Sequence, residues 1–272
     1  MTRLQARFDA LAAEGRKALV PFLTAGDPSL EATVPVLHAL VAAGADVLEI
    51  GVPFSDPMAD GPVIQRSSER ALARGAGMAW VLGQVRAFRE RDAETPVVLM
   101  GYLNPIEIRG AEAFARDAAA AGVDGMLLVD LPPEEATAIR AIFDSHGLAL
   151  VPLVAPTTSD ARLPAIGAGA RGYVYYVSVA GVTGTRAADA GAIASHLERV
   201  RAACPVPVVV GFGIRDAATT AAVARHADGV VVGSALVQAM HGAADPGDAA
   251  GRAAAFLAPL RAALDGAPAA LG

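Results

Sequence analysis

The sequence is poor in the side chains that usually announce a reaction. Its 272 residues include one cysteine, Cys204, so no intrachain disulfide can form, and a lone cysteine reads as a small buried apolar side chain. The histidines His38, His146, His196, His226 and His241 are scattered through helices and corners and make no His-Glu-x-x-His set, so no metal centre is expected. No apolar run reaches membrane-spanning length, and residues 4–14 form a charge-interrupted amphipathic helix rather than a signal segment. Positive charge is scarce too: Lys+Arg 22 against Asp+Glu 28 gives a formal charge of -6 with no basic run, which argues against a nucleic-acid or anionic-membrane surface. A soluble cytoplasmic protein is expected.

What is abundant is apolar sequence, 54% of the chain, in a repeating order. Short, nearly continuous apolar runs occur at 19–24, 47–51, 97–102, 125–129, 148–154, 173–177, 208–211 and 230–233, each followed by an alanine-rich stretch with helical spacing. Continuous hydrophobicity is what a parallel strand buried on both faces requires. The corners before strands repeat as well, in Ala43-Gly-Ala-Asp46, Ala121-Gly-Val-Asp124, Gly169-Ala-Arg-Gly172 and His226-Ala-Asp-Gly229. Helix starts are expected after Asp27-Pro-Ser29, after 131–135, after 157–160 and at Arg215-Asp216. Eight such units without a linker predict one α/β domain over 1–272, a (β/α)8 TIM barrel, with an extra N-terminal helix and an extra helix around 78–91 after the second unit. A doubly wound open sheet is the alternative, but the turn after the first strand lacks Gly-x-Gly-x-x-Gly. The Ala, Gly and Pro of 264–272 predict a frayed tail.

In such barrels the chemistry sits at the C-terminal ends of the strands. Lys17, the only lysine, precedes the first strand at the opposite end, which excludes a catalytic Schiff base or lysine-bound pyridoxal. Glu49 lies near the end of the second strand, where ionisation is costly, and Asp60 lies in the proline-stiffened loop that follows. Phe22, Met100, Tyr102, Val129, Leu153 and Tyr175 fall at other strand ends, so an apolar, partly aromatic pocket holding two acids is predicted. Three glycine-rich turns follow the last three strands, at 181–184, 211–213 and 233–234. Their backbone N–H groups, with Ser234 at a short helix start, suit a phosphate without needing a lysine. With no metal, imine or dinucleotide, the substrate has to supply the electron sink and the protein proton transfer and positioning.

Several long motifs together resemble the alpha subunit of tryptophan synthase, over about Phe8 to Leu260. They are PFLTAGDP at 21–28, EIGVPFSDPMADGP at 49–62, MGYLNP at 100–105, DLPPE at 130–134, VAPTT at 154–158, YYVS at 175–178 with GVTG at 181–184, GFG at 211–213 and VVVGS at 230–234. The resemblance implies a lyase that splits indole-3-glycerol phosphate into indole and glyceraldehyde 3-phosphate in tryptophan biosynthesis. Carried over by motif, Glu49 is the general acid/base and Asp60 holds the indole N–H. Thr183 sits on a loop that closes over the site, and Phe212 joins the pocket residues around the substrate. Gly184, Gly213, Gly233 and Ser234 bind the phosphate. No cofactor is implied in this chain; pyridoxal phosphate belongs to a beta subunit, with which an α2β2 complex forms through loops near Pro53, Asp56, Asn104 and Pro132. Two other readings are a sister phosphate-binding barrel, such as indole-glycerol-phosphate synthase or phosphoribosyl-anthranilate isomerase, and a noncatalytic barrel that only activates a partner. The first typically needs a lysine or cysteine on the active face. The second leaves Glu49 and Asp60 without work.

Overall fold

The computed structural model describes residues 1–177, 187–211 and 213–266, with the backbone alone over 187–193. Parallel strands β1 (Ala18–Thr24), β2 (Leu48–Gly51), β3 (Val97–Gly101), β4 (Gly125–Leu128), β5 (Ala149–Val151), β6 (Leu153–Val154), β7 (Val174–Val177), β8 (Val208–Gly211) and β9 (Gly229–Val232) pair in the order β5-β4-β3-β2-β1-β9-β8-β7-β6. The two ends of that order are consecutive in the chain. Pro152, which has no N–H to give to a ladder, splits one strand into β5 and β6, while its carbonyl accepts from the Tyr175 N–H at 3.0 Å. The eight predicted strands are therefore these nine segments, and the sheet closes into a TIM barrel.

Alternation along β1 shows why a continuous apolar run was needed. Ala18, Val20 and Phe22 join the cluster inside the barrel, whereas Leu19 and Leu23 join the layer between sheet and helices. The extra N-terminal helix, α1 (Arg3–Ala13), closes the bottom with Leu4, Phe8 and Leu11. Two helices, α3 (Pro62–Ala73) and α4 (Met78–Arg89), follow β2 as expected.

The repeated corner has a physical purpose. Asp46, Asp124 and Asp228 each accept, through Oδ2, the first free N–H of a neighbouring strand: Leu19 at 2.8 Å, Val97 at 2.8 Å and Val208 at 2.9 Å. Each is also held by arginine: Asp46 by Arg7 and Arg261, Asp124 by Arg3 and Arg89, Asp228 by Arg201. Asp46 is fully buried, and Asp46→Ala leaves the Leu19 N–H without its acceptor, Arg7 without its carboxylate and Arg261 with Asp265 alone, so it is expected to cost about 3 kcal/mol, read as a lower urea midpoint at unchanged slope. A loss under about 1 kcal/mol would mean that the Asp46 ion pairs are worth no more than solvent-screened ones.

Two expectations need correction. Helices do start after all four marked places, but of those four only Asp216 caps its helix with a side chain, taking the Thr219 N–H at 2.8 Å at the start of α10 (Ala217–Ala224). Asp27 instead pairs bidentately with Arg70 of α3 at 2.8 and 2.7 Å, because a two-oxygen acceptor fits the guanidinium fork. The frayed tail does not begin at 264: helix α12 (Pro246–Asp265) buries Leu264 under the barrel wall, and 267–272 lie outside the described residues.

Candidate active site

The strand period puts Glu49 on the inner face of β2, in register with Phe22, where it has no solvent exposure. The Tyr173 hydroxyl donates to Glu49 Oε1 at 3.0 Å, and Oε2 is buried without a partner. Burial pushes the carboxyl up to about 7, against the weaker opposing pull of the Tyr173 hydrogen bond. A proton can therefore be held or released here near neutral pH. Removing the tyrosine hydroxyl should raise the Glu49 value further, so the limb of the kcat/KM pH profile due to Glu49 is expected to move up by about one unit in Tyr173→Phe. An unmoved limb would show that the bond does not tune the acid.

Asp60 is held on the loop after β2. The Tyr102 hydroxyl donates to Asp60 Oδ2 at 3.1 Å and accepts from the Ala59 N–H at 3.0 Å. Phe54 stacks on Tyr102 with centroids 4.9 Å apart, and Gln65 donates to the Asp60 carbonyl at 2.8 Å. Burial raises the Asp60 carboxyl, with the Tyr102 bond opposing. Tyr102 thus works on the acid loop with its hydroxyl.

A cavity of about 370 Å³ opens at the C-terminal ends of the strands, with Phe22, Ile64, Met100 and Tyr175 as walls and Glu49 facing in. Its far side is Gly213, Arg215, Gly233 and Ser234. A smaller recess shares Phe22, Ile64 and Met100 and is completed by Asp60, Tyr102 and Val129, so both acids serve one apolar wall. The first N–H groups of α11 (Ser234–Met240) have no intrahelical acceptor and lie at the rim. Close packing makes the glycine at 211 obligatory: a Cβ there would meet the Tyr175 hydroxyl at 2.0 Å.

Of the described pocket residues, only Leu153 lies outside both recesses; it packs on the inner cluster from β6. Thr183, Gly184 and Phe212 lie outside the described residues. Sequence reasoning missed Tyr173, Ile64 and Arg215. The signal for Tyr173 was present, since it is two residues before Tyr175 and so shares its face. Arg215 is a cation beside Gly213 whose only ion pairing among the described residues is a loose 3.7 Å approach to Asp216.

The family model described as tryptophan synthase alpha chain matches residues 8–264. A tryptophan synthase alpha chain from Xanthomonas oryzae pv. oryzae is 65% identical over 266 residues, covering 97% of this chain and 99% of that relative. One from Xylella fastidiosa is 64% identical over 265 residues, with the same coverage. The crystal structure of tryptophan synthase subunit alpha from Legionella pneumophila superposes with a TM-score of 0.91 at 46% identity, covering 97% of this chain and 99% of that one. With an embedded acid, a second acid beside it and an amide-rich rim on a closed barrel, the chain belongs to the tryptophan synthase alpha chain family, the lyases that cleave indole-3-glycerol phosphate in tryptophan biosynthesis.

Proposed function

We propose that Glu49 carries the protons of this cleavage. It delivers one to the ring carbon that bears the side chain and takes one from the side-chain hydroxyl, so the carbon–carbon bond breaks with its electron pair returning to the ring. Indole and glyceraldehyde 3-phosphate result, with no net proton change. The observation that carries this is a fully buried carboxyl on the cavity lining, with one oxygen left without a partner and an affinity for protons poised near 7. Asp60 accepts the indole N–H and stabilises the positive charge that develops on the ring. Its place across Phe22 and Met100 from Glu49 supports that role. Because the ring accepts the electrons, this chain needs no cofactor of its own. Indole release from the purified chain, alone and with a beta subunit, tests the activity; no release in either condition would leave a binding module.

The phosphate is gripped by the backbone amides at Gly184, Gly213, Gly233 and Ser234. Arg215, at the same rim, adds the positive charge that the cradle otherwise lacks. Arg215→Gln is therefore expected to raise KM about tenfold with kcat within a factor of two, the mark of binding energy shared by ground and transition states. An unchanged KM would leave the amides as the whole of the grip.

The partner is a beta subunit in an α2β2 complex, which holds the pyridoxal phosphate and receives the indole. Asp56 and Pro132 are exposed on active-face loops and Asn104 is exposed in the first turn of the short helix at Leu103–Arg109, whereas Pro53 is buried and serves as a stiffener. Met58 and Ile108, exposed by 88% and 80%, give that face its apolar points of contact. Among the described residues no helix is long and apolar enough to cross a membrane.

A further inference from the structure

The single lysine does not face the active end, yet it is not an ordinary surface lysine. Lys17 is 7% exposed and borders a second cavity of about 280 Å³ on the closed face of the barrel, between α1 and the starts of β1 and β9. Phe8, Leu11 and Pro207 give the cavity apolar walls. The nearest carboxylate, Asp228, is already committed: Oδ1 to Arg201 at 2.5 Å and Oδ2 to the Val208 N–H at 2.9 Å. Among the described residues Lys17 has no ion-pair partner, while Arg16, at the mouth, is held by Glu14 and Asp265. An ammonium left unpaired against apolar walls, with the Arg201 guanidinium near, is destabilised relative to the free amine. Lys17 is accordingly lowered from the ordinary lysine range, chiefly by burial and in small part by Arg201, with Asp228 opposing.

We propose that this closed-face cavity is a covalent modification site in which the Lys17 amine takes short uncharged aldehydes as imines. The nitrogen lone pair attacks the carbonyl carbon, and the C=O π pair moves to oxygen. That oxygen collects two protons and leaves as water as the C=N bond forms, with no change of oxidation state. Apolar walls, the Asp228 carboxylate on the lining and the pairing of Arg16 with Glu14 and Asp265 select an uncharged chain over an anionic one. Nothing in the lyase chemistry uses this site, so its occupancy is independent of Glu49.

The chain has only one other primary amine, its α-amine, so the test has an internal reference. Folded protein is treated at pH 7 with butanal and cyanoborohydride beside N-acetyl-lysine, whose amine is neutral to about one part in 10³, and adducts are mapped by peptide mass. Lys17 should be alkylated about tenfold or more faster than N-acetyl-lysine, and that excess should vanish in urea. Ala12→Trp, which fills the mouth of the cavity, should abolish the excess while indole release and melting temperature stay unchanged. Alkylation of Lys17 at or below the N-acetyl-lysine rate, or an excess that survives Ala12→Trp, overturns the proposal. Equal reactivity toward glyoxylate overturns the assignment to uncharged aldehydes.

Discussion

Glu49→Gln is expected to lower kcat by roughly 10²–10⁴-fold while substrate affinity changes by only a few fold. The amide has nearly the shape of the acid and can still accept from Tyr173, so the cavity wall is preserved and only the exchangeable proton is lost. The same replacement should stabilise the protein, and the sign follows from linkage. The folded carboxyl keeps its proton to about 7, whereas the unfolded one releases it near 4.5. Between those values the native state binds more protons, so this group's contribution to stability falls as pH rises from 4.5 to 7 and stays low above. The full cost is on the order of 3 kcal/mol at alkaline pH. Glu49→Gln should therefore unfold at higher urea than the parent at pH 8 and show no advantage at pH 4, with the crossing seen in a pH series of urea melts. An acid that is expensive to keep and dispensable for folding is what a catalytic group in an apolar barrel should be. A variant that retains turnover, or one that loses stability at pH 8, would remove Glu49 from the proposed role.

Asp60→Asn should cost roughly 10²–10³-fold in kcat, the usual effect of removing one preorganised stabiliser of developing charge. The carboxylate matters here as a negative charge, because the ring becomes positive as its carbon is protonated. Asparagine retains an acceptor for the Tyr102 hydroxyl, so the loop anchored by Phe54, Tyr102 and Gln65 should keep its place. The loss should then appear in kcat more than in KM, and the melting temperature should stay close to the parent's. Turnover within tenfold of the parent would show that the indole N–H needs an acceptor but no charge, and would reduce Asp60 to a loop residue.

The barrel was legible because its requirements are periodic. The strands are largely buried on both faces and so read as continuous apolar runs, and three strand starts take an aspartate from the corner beside them. The break at Pro152 was not legible, since a proline between apolar residues does not say whether a strand ends or merely loses one ladder bond. Glu49 and Asp60 stood out because carboxylates in apolar or proline-bound surroundings are costly. The groups that tune them did not: Tyr173 and Tyr102 look like core aromatics until a hydroxyl is seen 3.0 or 3.1 Å from a carboxylate. Glycine at 211 marks a close approach, but the approaching group is the Tyr175 hydroxyl rather than a ligand. Arg215 was invisible as a site residue because a basic residue ahead of a helix-capping aspartate reads as ordinary helix-start chemistry.

The most direct measurement is a crystal structure of this chain with an unreactive indole-alkyl phosphate. The phosphate oxygens should lie within hydrogen-bonding distance of the amides at Gly213, Gly233 and Ser234, the ring between Phe22 and Met100, its N–H on Asp60, and the free Glu49 oxygen against the ring carbon that carries the side chain. A phosphate held anywhere else, or a Glu49 carboxyl turned from the ring toward the barrel floor in the occupied site, would contradict the proposed cleavage.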